Sequence, residues 1–127
     1  MTTNRIKFRQ EIGPFAMIQG TVQRVDDVLE FELSMTENIE KPVSGIVRRS
    51  IKLSEFETIE FKRRFFRKST LVFSSASLGA FERIPNSKGF TYTVLVDSSA
   101  QQAKSFVRDA LFEMAQIEME TLAKRFE

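Results

Sequence analysis

The chain has 127 residues with no cysteine and no histidine, which excludes disulfides, zinc–thiolate sites, cysteine nucleophiles, histidine metal sites and Ser-His-Asp catalysis. Hydrophobic residues make up 42% and charged residues 28%, the balance of one packed domain rather than of a disordered chain. The net charge of +2, from 19 basic and 17 acidic residues, is too even to mark a nucleic-acid binder.

The N-terminal arm, residues 1–15, alternates Ile6, Phe8 and Ile12 with Arg5, Lys7, Arg9 and Glu11. It reads as an arm or edge strand that Gly13-Pro14 ends. A strand over 16–25 and a second beginning at Val28 flank Asp26-Asp27, a tight turn, so 16–35 forms a β-hairpin. Residues 36–45 contain Asn38, Pro42 and Gly45 and read as a loop. Strands follow at about 46–53 and 58–63, separated by a short turn at 54–57, then at 69–75. Residues 78–85 fit either a strand or a short helix. Phe90, Tyr92, Val94 and Val96 alternate as the last strand, which places Tyr92 in the core or at its rim.

Ser99 followed by Gln102 fits a capping box. No glycine or proline interrupts Ala100 to Phe126, so one helix of about 40 Å is expected. On a helical wheel Ala103, Phe106, Val107, Ala110, Leu111, Met114 and Ile117 form one stripe, which should cover the sheet. Phe112, Ala115, Met119, Leu122 and Phe126 form a second stripe, rotated from the first by roughly 120–140°. The expected architecture is therefore α+β: an antiparallel barrel or sandwich of six to seven strands over 16–97, closed by a long C-terminal helix over 98–126.

The stretch Ile51-Lys52-Leu53-Ser54-Glu55-Phe56-Glu57-Thr58-Ile59-Glu60-Phe61-Lys62-Arg63 carries a resemblance. So do Ala76 to Pro85 and the helix opening at Ala100 and Ala103. Over roughly residues 16–115 the chain resembles the pleckstrin-homology-like domains of small bacterial proteins. The resemblance implies a binding platform for proteins or lipids with no common catalytic activity. In relatives that hold phosphoinositides, cations surround the first hairpin turn. Here that turn carries Asp26 and Asp27 with only Arg24 nearby, so phosphoinositide binding there is not expected.

Lys62, Arg63, Arg64, Phe65, Phe66, Arg67 and Lys68 form the densest cluster. Residues 48–68 hold eight cations against three acids. Such a hairpin suits an anionic membrane or an acidic protein and, less well, single-stranded nucleic acid; a solvated edge is the plain alternative. The carboxylates Asp26-Asp27, Glu30/Glu32 and Glu55/Glu57/Glu60 read as solvated surface, and no phosphate, dinucleotide or calcium loop occurs. No enzyme activity and no cofactor or metal is expected.

One small domain covers only about three to four turns of helix, so either the helix bends back to pack Leu122 and Phe126 on its own domain or the second stripe meets another surface. Phe112, Met119, Leu122 and Phe126 are the candidate interface, with a second copy or another protein as partner. The expected function is a non-catalytic binding module. The alternatives are a peripheral binder of anionic membranes through 62–68, or a carrier of an apolar ligand among its phenylalanines. No stretch has the length of a signal-peptide core or a membrane span, so a cytoplasmic location is expected.

Overall fold

Alternating burial sets the strands. The computed structural model describes residues 5–12, 14, 16–37, 46–64, 68–77, 79–81, 84 and 87–126. Strands β1 (Arg5–Ile12), β2 (Ala16–Val25), β3 (Val28–Glu37) and β4 (Val47–Lys52) come first. A single 3-10 turn (Leu53–Glu55) leads into β5 (Phe56–Lys62), β6 (Thr70–Ser75) and β7 (Thr91–Val96), and helix α1 (Ala100–Arg125) ends the fold. All pairings are antiparallel, in one seven-stranded sheet ordered β4-β3-β2-β1-β7-β6-β5. The class is α+β, as the sequence predicts.

Three expectations need correction. The N-terminal segment is not an arm or an edge. All eight residues of β1 pair with β2, and Phe8 and Arg9 also pair with Val96 and Leu95 of β7. Alternation tells which face of a strand is buried but not how many neighbours it has. The fifth strand begins at Phe56 rather than 58 because the turn before it is a compact 3-10 turn. Phe90 is not an inward strand residue: it is half-exposed in the turn before β7. In the ambiguous stretch, Gly79–Phe81 is a turn and Ala80, Phe81 and Ile84 are buried; the rest of 78–85 lies outside the described residues. So do residues 38–45 of the expected loop.

The sheet is open in its hydrogen bonding, with β4 and β5 at its two ends, yet it is not flat. Phe31 on β3 and Phe73 on β6 are four strand positions apart, roughly 19 Å in a flat sheet. Their ring centroids lie 5.4 Å apart, edge to face. The sheet therefore curls until its halves meet. Tyr92 stands at the junction, with centroids of Phe8, Phe31, Phe73 and Phe81 within 6.0–6.2 Å. Such rings attract through offset and edge contacts beyond their burial.

The curl needs a glycine. An ideal Cβ at Gly20, in the middle of β2, would sit 2.6 Å from Leu33 Cδ2, 2.7 Å from the Glu32 carbonyl oxygen and 2.8 Å from Phe8 Cζ. Two of these are the tips of buried side chains. The third is backbone of the neighbouring strand, which cannot yield without bending the sheet.

Helix α1 starts at the capping box that the sequence predicts. The Gln102 amide donates to Ser99 Oγ at 3.1 Å, and the Ser99 amide donates to Gln102 Oε1 at 3.2 Å. The entry is fixed to β1, because the Asp97 amide donates to the Lys7 carbonyl and the Lys7 amide to Ser98 Oγ. Ala103, Phe106, Val107 and Ala110 are buried, and Met114 and Ile117 are half-buried. They pack on β5, on the 3-10 turn, and on β1 and β2. Leu111, expected on this face, is instead exposed at its margin.

Gly20→Ala should cost about 1–3 kcal/mol, the range for overpacking, read as a lower urea midpoint at unchanged slope. The Tyr92 hydroxyl is buried, finds no hydrogen-bond partner among the described residues, and is pushed up from the ordinary phenol pKa of 10.0 by desolvation. A raised pKa leaves this group's contribution intact below the unfolded value near 10 and removes it as pH rises further. As the only tyrosine, Tyr92 should show phenolate absorbance only as the fold melts in alkali. Phenolate appearing while the fold persists would contradict this burial. Tyr92→Phe should be neutral or stabilising near pH 7, since no bond is lost.

Candidate interaction surfaces

Helix α1 is apolar on two opposite sides. Counting about 100° per residue, Phe112, Met119 and Phe126 lie roughly 160–200° from buried Ala110. They are 64%, 70% and 87% exposed, and Leu122 is 45% exposed. The stripe thus points away from the chain's own sheet, with Leu122 at its near edge, about 120° from Ala110. Leu122 is nearest the domain: with Met114, Ile117 and Arg125 it lines a groove of about 380 Å³ over Leu53 and Phe56.

The reason for the second face is length. The helix has 26 residues, but its fully buried positions end at Ala110. Beyond Ile117 the described side chains are all exposed. The C-terminal turns therefore hold together by helical hydrogen bonds and by neighbours on the same helix, which alone is marginal in water.

The basic hairpin is less of a unit than its sequence suggests. Lys62 ends β5 and lies 3.8 Å from Glu60. Arg63 and Arg64 are exposed just beyond it. Lys68 pairs with Asp97 at the end of β7, a carboxylate that Arg9 also approaches at 3.7 Å. One cation of the run thus ties the β5–β6 connection to the start of α1. Phe65, Phe66 and Arg67 lie outside the described residues.

A second surface was not legible from sequence. Ile59, Glu60, Phe61 and Lys62 of β5 and Lys104, Val107, Arg108 and Leu111 of α1 line an open groove of about 610 Å³. The helical members follow i, i+3, i+4, i+7 spacing, so they share one stripe between the buried and outer faces. That spacing was available in the sequence. Knowing that β5 is an edge strand beside it was not.

Elsewhere the chemistry is surface chemistry. Asp26 and Asp27 are exposed at the hairpin turn, where Asp26 takes φ 55° and its carbonyl accepts from Arg24 Nη1 at 2.7 Å. Glu32 binds Arg48 at 2.7 Å, and Gln23 Nε2 donates to Glu30 at 3.4 Å. Among the described residues no cluster of acidic side chains forms a metal-ligand set, and no helix is long and apolar enough to cross a membrane. Six buried phenylalanines, Phe8, Phe31, Phe56, Phe73, Phe81 and Phe106, belong to one core cluster. The rings around Phe73 and Tyr92 touch one another as a filled interior.

Comparison with protein-family models, curated proteins and solved structures gave no match.

The two faces of α1 should separate in stability measurements. Phe106→Ala should cost about 3–5 kcal/mol, the range for deleting a buried aromatic. Phe112→Ala at dilute concentration should stay within about 0.5 kcal/mol, as for an ordinary surface site. Equal costs in urea unfolding would show that the outer face is part of the fold.

Proposed function

We propose that this chain is a non-catalytic, pleckstrin-homology-like protein-contact module that self-associates through the outer face of α1. The observation that carries the reading is the apolar strip of Phe112, Met119 and Phe126, exposed on the side of the helix opposite the core, with Leu122 exposed at its flank. Soluble domains rarely leave a row of large apolar side chains uncovered, and an unpartnered helix face fits another helix. The meander of seven strands followed by one helix across the curled sheet supports the fold resemblance. A contact role fits surfaces whose distinguishing chemistry is apolar area and charge.

Sedimentation equilibrium over a wide concentration range tests the reading. The wild type should form a dimer whose mass falls on dilution. Leu122→Asp with Phe126→Asp should hold it at the monomer mass with thermal unfolding little changed, since both positions are exposed. A wild type that stays monomeric at high concentration overturns self-association. A double variant that still dimerises moves the interface off this face.

A further inference from the structure

The groove between β5 and α1 has the geometry of a strand-docking site. Four consecutive residues, Ile59 to Lys62, line it. Successive side chains of a strand point to opposite faces, so a groove touching four in a row runs along the strand's edge. Among the described residues β5 pairs only with β6 and stands at the end of the sheet order. The backbone groups on its outer side thus have no strand partner among the described residues, the condition under which a further strand can add. Across from them the helix offers Val107 and Leu111 as an apolar wall, and Ile59 and Phe61 supply the floor.

Charge selects the occupant. Lys62, Lys104 and Arg108 ring the groove against one acid, Glu60. Lys104 makes no ion pair among the described residues. Lys62 and Arg108 each have one exposed acidic neighbour, at 3.8 Å and 3.6 Å, and exposed pairs of this kind neutralise little. Arg63 and Arg64 extend the positive field past the end of β5.

We propose that this groove binds an extended acidic segment of a partner protein, added to the edge of β5 as an eighth strand. Its apolar side chains would enter between Phe61 and Leu111 while its alternate carboxylates meet Lys62, Lys104 and Arg108. Main-chain hydrogen bonds give such a mode its affinity, and the side-chain pockets and rim charges give its selectivity. The groove adjoins the outer stripe of α1, since Arg108 stands one turn before Phe112, but the peptide test alters only Lys104 and Arg108 and the self-association test only Leu122 and Phe126, so the two proposals are tested separately.

The test uses a phage-displayed library of random peptides about ten residues long, enough for one strand with flanks. It is panned on the wild type and on Lys104→Glu with Arg108→Glu. The wild type alone should enrich sequences that alternate apolar with acidic residues. A synthetic peptide of the leading sequence should bind the double variant at least about ten-fold more weakly, and bind the wild type more weakly at about 0.5 M salt, where surface charge is screened within a few Å. The salt arm keeps the test valid should the variant misfold. Bound peptide should slow amide exchange within 59–62. Enrichment equal on both proteins, basic or non-alternating sequences, salt-insensitive binding, or protection on β4 instead of β5 overturns the proposal. So does a result in which no peptide enriches while phosphatidylserine vesicles bind through Lys104 and Arg108, which would assign these cations to a membrane.

Discussion

The contact on which the structure depends is the meeting of Phe31, Tyr92 and Phe73 across the inside of the curled sheet. Strand pairing alone would leave β3 and β6 far apart. Their rings touch because the sheet bends, and the bend in turn requires that β2 carry no side chain at Gly20. Aromatic burial and backbone clearance therefore act together. The rings reward the curl, and the glycine permits it. Tyr92 shows the weight of the ring packing, since its hydroxyl is buried without a partner among the described residues, a cost that the packing of its ring offsets.

A curled but open sheet sets the remaining design. Its end strands, β4 and β5, are not paired with each other. The chain crosses the gap at the 3-10 turn, whose Leu53 amide extends the β3–β4 ladder to the Asp27 carbonyl at 2.8 Å, and α1 packs over that turn and β5. The helix uses its first turns for this and then continues past the sheet. The fold thus produces two surfaces as by-products of one closure. One is the edge of β5 beside the helix flank, and the other is the outer face of the overlong helix. Apolar contact dominates the second, and the first combines apolar lining with a cationic rim, so they suit different partners.

Much of this was legible in the residues. Ile6 and Phe8, Leu71 and Phe73, and Tyr92 and Val94 announce their buried faces by alternation. Ser99 with Gln102 announces the helix start, and the two apolar stripes of α1 announce its buried and its exposed apolar faces. What was hidden depends on neighbours that local patterns do not encode. β1 has the alternation of an edge strand and the pairing of a central one. Lys68 sits in a basic run, yet its carboxylate partner, Asp97, lies 29 residues on, between β7 and α1. Leu111 falls on the inner stripe of an idealised wheel and is drawn to the margin by the position of β5. Glu60 and Lys104 are unremarkable in sequence, and only the sheet order brings them to one groove.

The central claim is that α1 is two units in one helix, an inner half that belongs to the fold and an outer half that awaits a partner. Native-state amide exchange along the helix tests it most directly. At dilute concentration the amides of 103–110 should exchange only through global unfolding, while those of 119–125 exchange through local fraying and at least about a hundred-fold faster. Raising the concentration should slow the second group and leave the first unchanged. Uniform, concentration-independent protection along the whole helix would contradict the account, because it would mean that the domain supports the outer turns by itself.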